Sequence, residues 1–300
     1  MNLKKYHGVV VPMVTPVDAD CNIDRESVKK IMNDFARYDV SPLLMGTNGE
    51  GNSVSADQGV VLIEAAREAA APGQTIYAGL AGNCVSEQFA TARRYEAAGA
   101  DVVAATLPSY YLLTPAQMYE YYKNLADFLR VPLMLYNIDI TTHMSIPLDV
   151  VEKLSHHPTI VGMKDSENNI PRMEEALRLF ADREDFAYFC GCTVNSTAAL
   201  RLGADGIVPS AGNFTPKKCE ELYCAGIAHD FEAAENKQKE VMDMSQAYLS
   251  GFTLGESIAA LKVIMKAKGM CEDYMLPPLT RLSDDKAEEV ISKIRNYEYE

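Results

Sequence analysis

Lys164 ends a short apolar run, Ile160-Val161-Gly162-Met163-Lys164, where a long cationic side chain would be surrounded by apolar neighbours. Desolvation lowers the pKa of an amine, and an unprotonated amine attacks a ketone to give an imine. A snorkelling or ion-paired lysine fits the same position. A second run, Pro132-Leu133-Met134-Leu135-Tyr136-Asn137, closes on a phenol that can relay a proton, or that simply caps apolar packing. A third closes on Gly46-Thr47-Asn48-Gly49-Glu50-Gly51, whose glycines let backbone N–H groups approach an anion while Thr47 offers a hydroxyl. That loop lacks the spacing of a dinucleotide or phosphate-loop fingerprint, and a tight turn explains it equally well on its own.

These groups can cooperate only if the runs that carry them lie side by side. Eight such runs recur: Gly8 to Met13, Pro42 to Gly46, Thr75 to Leu80, Asp101 to Thr106, Pro132 to Asn137, Ile160 to Lys164, Phe186 to Cys190 and Gly206 to Pro209. Nearly continuous apolar character over so few residues suits strands buried on both faces, hence a parallel sheet. Helical segments alternate with them. Ser86 is expected to cap one of these helices, and Gly99 and Gly203 to end two of them. Eight strand–helix alternations predict an α/β fold, a TIM (β/α)8 barrel over residues 1–230 whose active site lies at the C-terminal strand ends. Residues 231–300 read as C-terminal helices, Ala233 to Ser250, Ser257 to Lys268 and Asp285 to Tyr297, packed on the barrel or on a second subunit.

Bulk composition narrows the partners. The 300 residues, 48% hydrophobic and 23% charged, suffice for a large core. A net charge of −14 disfavours nucleic acid and anionic membranes, leaving a small molecule as the expected partner. No stretch reaches the roughly 20 apolar residues of a membrane span, and Met1-Asn2-Leu3-Lys4-Lys5-Tyr6 has no apolar signal core, so a cytoplasmic location is expected. Seven cysteines without paired metal spacing read as reduced, mostly buried thiols, and the five scattered histidines do not suggest a metal site.

Taken in order, Gly46-Thr47-Asn48-Gly49-Glu50, Tyr136-Asn137 and Gly162-Met163-Lys164-Asp165-Ser166 resemble the dihydrodipicolinate synthase / N-acetylneuraminate lyase family, over nearly the whole chain. The resemblance implies that Lys164 is the Schiff-base lysine, Tyr136 the proton relay and Thr47 the hydroxyl between that tyrosine and a substrate carboxylate. It implies further substrate contacts at Asn48, Thr141, Ser166, Gly191, Val208 and Ser210. Asn48 stands where many relatives carry a hydroxyl residue; its amide can bind a carboxylate but cannot relay a proton. Tyr110 is similar to a tyrosine that relatives insert into a neighbouring subunit's site, which implies a homodimer or homotetramer.

The implied activity is that of a pyruvate-dependent aldolase or lyase, with pyruvate and an aldehyde as its small-molecule partners. The protonated imine serves as electron sink, so no metal or organic cofactor is called for. Lysine-pathway synthases of the family carry an arginine where this chain has Thr141, and sialic acid lyases carry acids where it has Cys192 and Thr193. Lys164-Asp165-Ser166 with Ser210-Ala211-Gly212-Asn213-Phe214 looks more like aldolases and dehydratases of 2-keto-3-deoxy sugar acids and 4-hydroxy-2-oxoglutarate. Condensation of pyruvate with aspartate semialdehyde is the second reading, and a barrel that binds a 2-oxo acid without turnover is the third.

Overall fold

The computed structural model describes residues 3–295 and 297. Met1, Asn2, Asn296 and residues 298–300, which the divisions 1–230 and 231–300 and the expected helix Asp285 to Tyr297 include in part, lie outside the described residues.

Eight parallel strands close into a barrel in chain order: β1 Gly8–Pro12, β2 Val40–Leu44, β3 Tyr77–Leu80, β4 Val102–Ala105, β5 Leu133–Asn137, β6 Ile160–Asp165, β7 Ala187–Cys190 and β8 Gly206–Ile207. The eight apolar runs are these strands. Because side chains alternate across a strand, one set of residues fills the barrel and the other meets the helices. Val10, Leu43, Tyr77, Val102, Ala104, Met134, Tyr136, Ala187, Phe189 and Val208 form the interior cluster. Val9, Val11, Leu44, Val103, Leu135, Met163 and Tyr188 belong to the larger cluster between sheet and helices. Both destinations are dry, which is why the runs are apolar throughout rather than alternating.

Polar ties close the barrel at both ends. Lys4 Nζ donates to Phe186 O at 2.9 Å and to Asp205 Oδ2 at 3.0 Å on the side where the strands begin. Near the strand ends, Asn213 accepts from Val14 N at 2.9 Å and donates to Pro12 O at 3.0 Å, joining the segment after β8 to β1.

The helix ends differ in part from expectation. Gly99 and Gly203 adopt the left-handed conformation, φ 105° and 93°. Ser86 is not the cap: the helix is Val85–Ala98, with Cys84 at its N-cap position, and the Ser86 hydroxyl lies 3.3 Å from Cys84 Sγ. The C-terminal helices are Phe231–Leu249, Leu254–Ala267 and Asp284–Ile294. The second starts earlier than Ser257 because Thr253 and Glu256 form a reciprocal capping box. Of the seven cysteines, all free, only Cys190, Cys219 and Cys271 are buried. Among the described residues no helix is long and apolar enough to cross a membrane.

One buried ion pair joins helix Leu254–Ala267 to the strand-end loops. Lys262 Nζ lies 2.5 Å from Glu50 Oε1, both side chains fully enclosed. Glu50 Oε2 accepts from Leu276 N at 2.7 Å, and Lys262 donates to Tyr274 O at 2.7 Å. Removing one member leaves a desolvated charge without a partner, the costly way to break a buried pair. Lys262→Met is therefore expected to destabilise the protein by about 3–5 kcal/mol. The double variant Glu50→Gln/Lys262→Met should recover much of that loss in urea unfolding; equal losses in single and double variants would contradict this account.

Candidate active site

The Gly46–Gly51 loop leaves β2 through Met45, whose φ of 48° is left-handed although it carries a side chain. The turn is kept tight by Gly51 N donating to Gly46 O and Glu50 N to Thr47 O, each at 3.1 Å. A Cβ on Gly51 would strike the Met45 carbonyl, so only glycine fits there. Thr15 Oγ1 donates to Gly49 O at 2.6 Å and anchors the loop from beneath. Thr47 is thereby presented at the barrel mouth, its Oγ1 3.3 Å from Tyr136 Oη.

Tyr136 and Lys164 are register partners on β5 and β6. They are 3% and 4% exposed, and Lys164 Nζ sits 3.8 Å from the centroid of the Tyr136 ring. Burial pushes the Tyr136 phenol up, but the Lys164 charge and hydrogen bonding with Lys164, Thr47 and Ser166 outweigh it, holding the phenol below the usual tyrosine range. A depressed phenol beside an amine is a proton acceptor and donor within reach of whatever that amine binds.

Gly191, just past β7, completes this group. A Cβ there would overlap Ser166 Oγ and stand 3.1 Å from Lys164 Cε, so the missing side chain is the space in which Lys164 and Ser166 lie. Val208 is buried in the interior cluster with Tyr136.

A cavity of about 450 Å³ opens beside Thr47 and Tyr136. Thr141 and Thr142, from the short helix Asp139–Thr142, line it together with Thr106 and Ser109, and Leu254, Ile258 and Leu279 form its apolar outer wall. No lysine, arginine or histidine lines it among the described residues. Lys164 does not itself line this cavity; its Nζ rests against the ring of Tyr136, which does.

The other candidate residues are placed elsewhere. Asn48 is half-buried in the loop and outside the cavity wall. The Ser210 hydroxyl lies 2.5 Å from Tyr248 Oη on helix Phe231–Leu249. Tyr110 is 77% exposed, with its backbone N–H held by Asn83 Oδ1 at 2.9 Å, and does not line this chain's cavity. Sequence reasoning overlooked the cavity wall from helix Leu254–Ala267 and the Glu50–Lys262 pair. A lysine within the otherwise apolar Leu261-Lys262-Val263-Ile264-Met265 stretch was the available signal for the latter.

A closed parallel barrel with an amine and a phenol paired at its C-terminal strand ends defines an enzyme of the lyase and synthase class. The chain belongs to the dihydrodipicolinate synthetase family, whose model matches residues 5–297. It is 26% identical over 284 residues to the 4-hydroxy-tetrahydrodipicolinate synthase of Halorhodospira halophila, covering 93% of each chain. It is 24% identical over 292 residues to a probable 2-dehydro-3-deoxy-D-pentonate aldolase of Escherichia coli, covering 96% of each. The crystal structure of dihydrodipicolinate synthase from Aquifex aeolicus matches with a TM-score of 0.89 at 25% identity, over 98% of this chain and 99% of that one. Relatives thus include both a synthase and an aldolase, and family membership leaves the choice of substrate to the residues of this cavity.

The depressed Tyr136 phenol links pH to stability. The unfolded chain holds that proton more tightly, so its contribution is absent below the folded pKa, grows as pH rises through it and is complete above about 10, the unfolded value. Unfolding free energies of wild type minus Tyr136→Phe should therefore rise with pH in that window, the other tyrosines cancelling; a flat or falling difference would contradict the assignment. Gly191→Ala is expected to cost about 1–3 kcal/mol by overpacking, measured by the same urea titration.

Proposed function

We propose that the protein is a class I pyruvate-dependent aldolase or lyase acting on a 2-oxo acid, a 2-keto-3-deoxy sugar acid in the first place and 4-hydroxy-2-oxoglutarate in the second. The observation that carries this reading is the buried contact of Lys164 Nζ with Tyr136, whose phenol is in turn within hydrogen-bond reach of Thr47.

The chemistry balances without an external redox partner. Lys164 passes a proton to the Tyr136 phenolate and the neutral amine adds to the C2 ketone; the carbinolamine hydroxyl then takes that proton back from Tyr136 and leaves as water, forming an iminium. As C3–C4 breaks, Tyr136 takes the proton of the C4 hydroxyl and the bonding pair moves into the iminium, giving an enamine and a free aldehyde. Protonation of the enamine at C3 and addition of water release pyruvate and regenerate the amine. Burial serves this sequence because a preorganised phenol and hydroxyl replace water around the developing charges. Thr47 steadies the phenol, the backbone of the Gly46–Gly51 loop receives the carboxylate, and Ser166, Gly191 and Val208 surround the amine; Asn48 and Ser210, outside the cavity wall, support the loop and the barrel rim. Tyr110, with Tyr111 and Leu112 also exposed beside it, is presented to a second copy in a homodimer or homotetramer.

The cavity wall favours a neutral aldehyde half. A carboxylate on that half would call for a bidentate cation, and the described wall offers hydroxyls instead, from Thr106, Ser109 and Thr141. Hydroxyls suit the polyol end of a sugar acid. The synthase reading, with aspartate semialdehyde, and the 4-hydroxy-2-oxoglutarate reading both require an anion to be held there. A barrel that merely binds a 2-oxo acid needs no phenol set against its lysine.

Borohydride reduction with saturating pyruvate, followed by intact mass and peptide mapping, should give a pyruvyl adduct at Lys164 and none in Lys164→Ala. Absence of the adduct in wild type would sink the mechanism. Across a panel read by pyruvate release, neutral-tailed 2-keto-3-deoxy acids should exceed 4-hydroxy-2-oxoglutarate in kcat/KM by roughly tenfold or more, the worth of a missing charge-assisted hydrogen bond. The reverse order, or condensation with aspartate semialdehyde at comparable kcat/KM, would overturn the substrate assignment.

A further inference from the structure

Lys164 faces Tyr136 because of an irregularity in the sheet. Leu133 on β5 pairs with Ile160 on β6, but its neighbour Met134 pairs with Gly162, so Val161 is an extra residue in β6. Side chains alternate with a period of two, and one inserted residue exchanges the inward and outward sets beyond it. Continued without the bulge, the first register would set Tyr136 opposite Met163 and turn Lys164 towards the helices. With it, Tyr136 meets Lys164, and Asn137 meets Asp165. The reactive pair therefore depends on whatever holds the register past Val161.

The pair one residue further along supplies that hold. Asn137 and Asp165 are 1% and 3% exposed, on strand positions facing away from the interior. Asn137 Nδ2 donates to Asp165 Oδ1 and to Glu167 Oε1, each at 2.8 Å, while its Oδ1 accepts from Ile146 N at 2.9 Å. The second Asp165 oxygen accepts from Arg172 Nε at 2.8 Å. Arg172, on helix Ile170–Leu179, has a side chain only 10% exposed, and Glu167 Oε1 lies 3.6 Å from its Nε. Its Nη2 is buried without a hydrogen-bond partner among the described residues, and the contacts that hold the guanidinium run through Nε to the two carboxylates. Neither Asp165 nor Arg172 lines the cavity, and the imine chemistry uses neither.

We propose that Asp165 and Arg172 are positioning residues: with Asn137 they lock the β5–β6 register beyond the Val161 bulge, and so keep Lys164 Nζ against Tyr136. The lock matters for catalysis only in so far as Lys164 and Tyr136 are the reacting pair of the function proposed above. The geometric claim is independent of that reading, and the test separates the two.

Asp165→Asn is nearly isosteric but sets an amide N–H against a donor, Arg172 Nε in one orientation and Asn137 Nδ2 in the other. Arg172→Met removes the guanidinium, and Arg172→Lys restores its charge without its planar fork. Each is to be examined well below its unfolding midpoint, with far-UV dichroism showing the fold intact. Tyr136 is followed by 13Cζ-tyrosine NMR through a pH titration, its resonance assigned with Tyr136→Phe, and pyruvate trapping at Lys164 is timed per folded molecule. In Asp165→Asn and Arg172→Met the Tyr136 titration should move up towards the ordinary tyrosine range and trapping should slow at least tenfold, with Arg172→Lys between them and wild type. Unchanged Tyr136 titration and trapping, with only a lower unfolding midpoint, would reduce the network to ordinary stabilisation and overturn the proposal. Should Asp165→Asn fail to fold, Arg172→Lys decides by the same readouts. If pyruvate does not trap wild type but the Tyr136 resonance still moves in the variants, the lock stands and the aldolase reading falls; if neither happens, both fall.

Discussion

A closed eight-stranded barrel gives each strand residue one of two destinations, the interior or the layer beneath the helices. Every other feature of this molecule answers to that constraint. It explains why the strands are apolar on both faces, and why the barrel is plugged by side chains such as Tyr77, Met134 and Phe189. It also explains why, within a strand, a long cationic side chain is placed at the end rather than in the middle. Lys164 is held on the interior side with its charge laid against the Tyr136 ring, a weakly polar surface that partly offsets desolvation. A single extra residue in β6 selects that side, so the Lys164–Tyr136 contact rests on the sheet's parity as much as on the identity of its side chains.

The barrel alone leaves its mouth open, and the C-terminal helices supply the missing wall. Leu254 and Ile258 reach the cavity because helix Leu254–Ala267 is tied down at Lys262 by Glu50, the residue that ends the tight turn carrying Thr47. One ion pair thus couples the placement of the Thr47 hydroxyl to the placement of the apolar wall. Buried pairs are poor sources of net stability but strong sources of geometry, because any arrangement that separates the charges is heavily disfavoured. Hydroxyls of Thr106, Ser109 and Thr141 and the aliphatic groups of Leu254, Ile258 and Leu279 share the wall of the cavity that results.

Much of this was legible in the amino-acid order. All eight strands announce themselves as apolar runs, and Tyr136 and Lys164 close consecutive runs, which in a barrel makes them neighbours. Gly99 and Gly203 end helices as their type implies. The errors were local and physical. A cap at Ser86 would start its helix two residues later than Val85, where it begins behind Cys84, and Ser257 lies inside a helix that begins at Leu254 and is capped by Thr253 with Glu256.

By itself the sequence determined the parallel barrel, the strand-end location of the site and the candidate amine, phenol and hydroxyl, because hydrophobic period and residue chemistry are local properties. Only the tertiary structure decided that Val161 is a bulge, that Asn137, Asp165 and Arg172 meet, that Glu50 finds Lys262, and that Tyr110 stands clear of its own chain's cavity. Those outcomes depend on register and on loops that bring distant residues to within 3 Å. No local pattern encodes such distances, since each partner alone is an ordinary polar residue whose cost of burial is settled only when the other arrives.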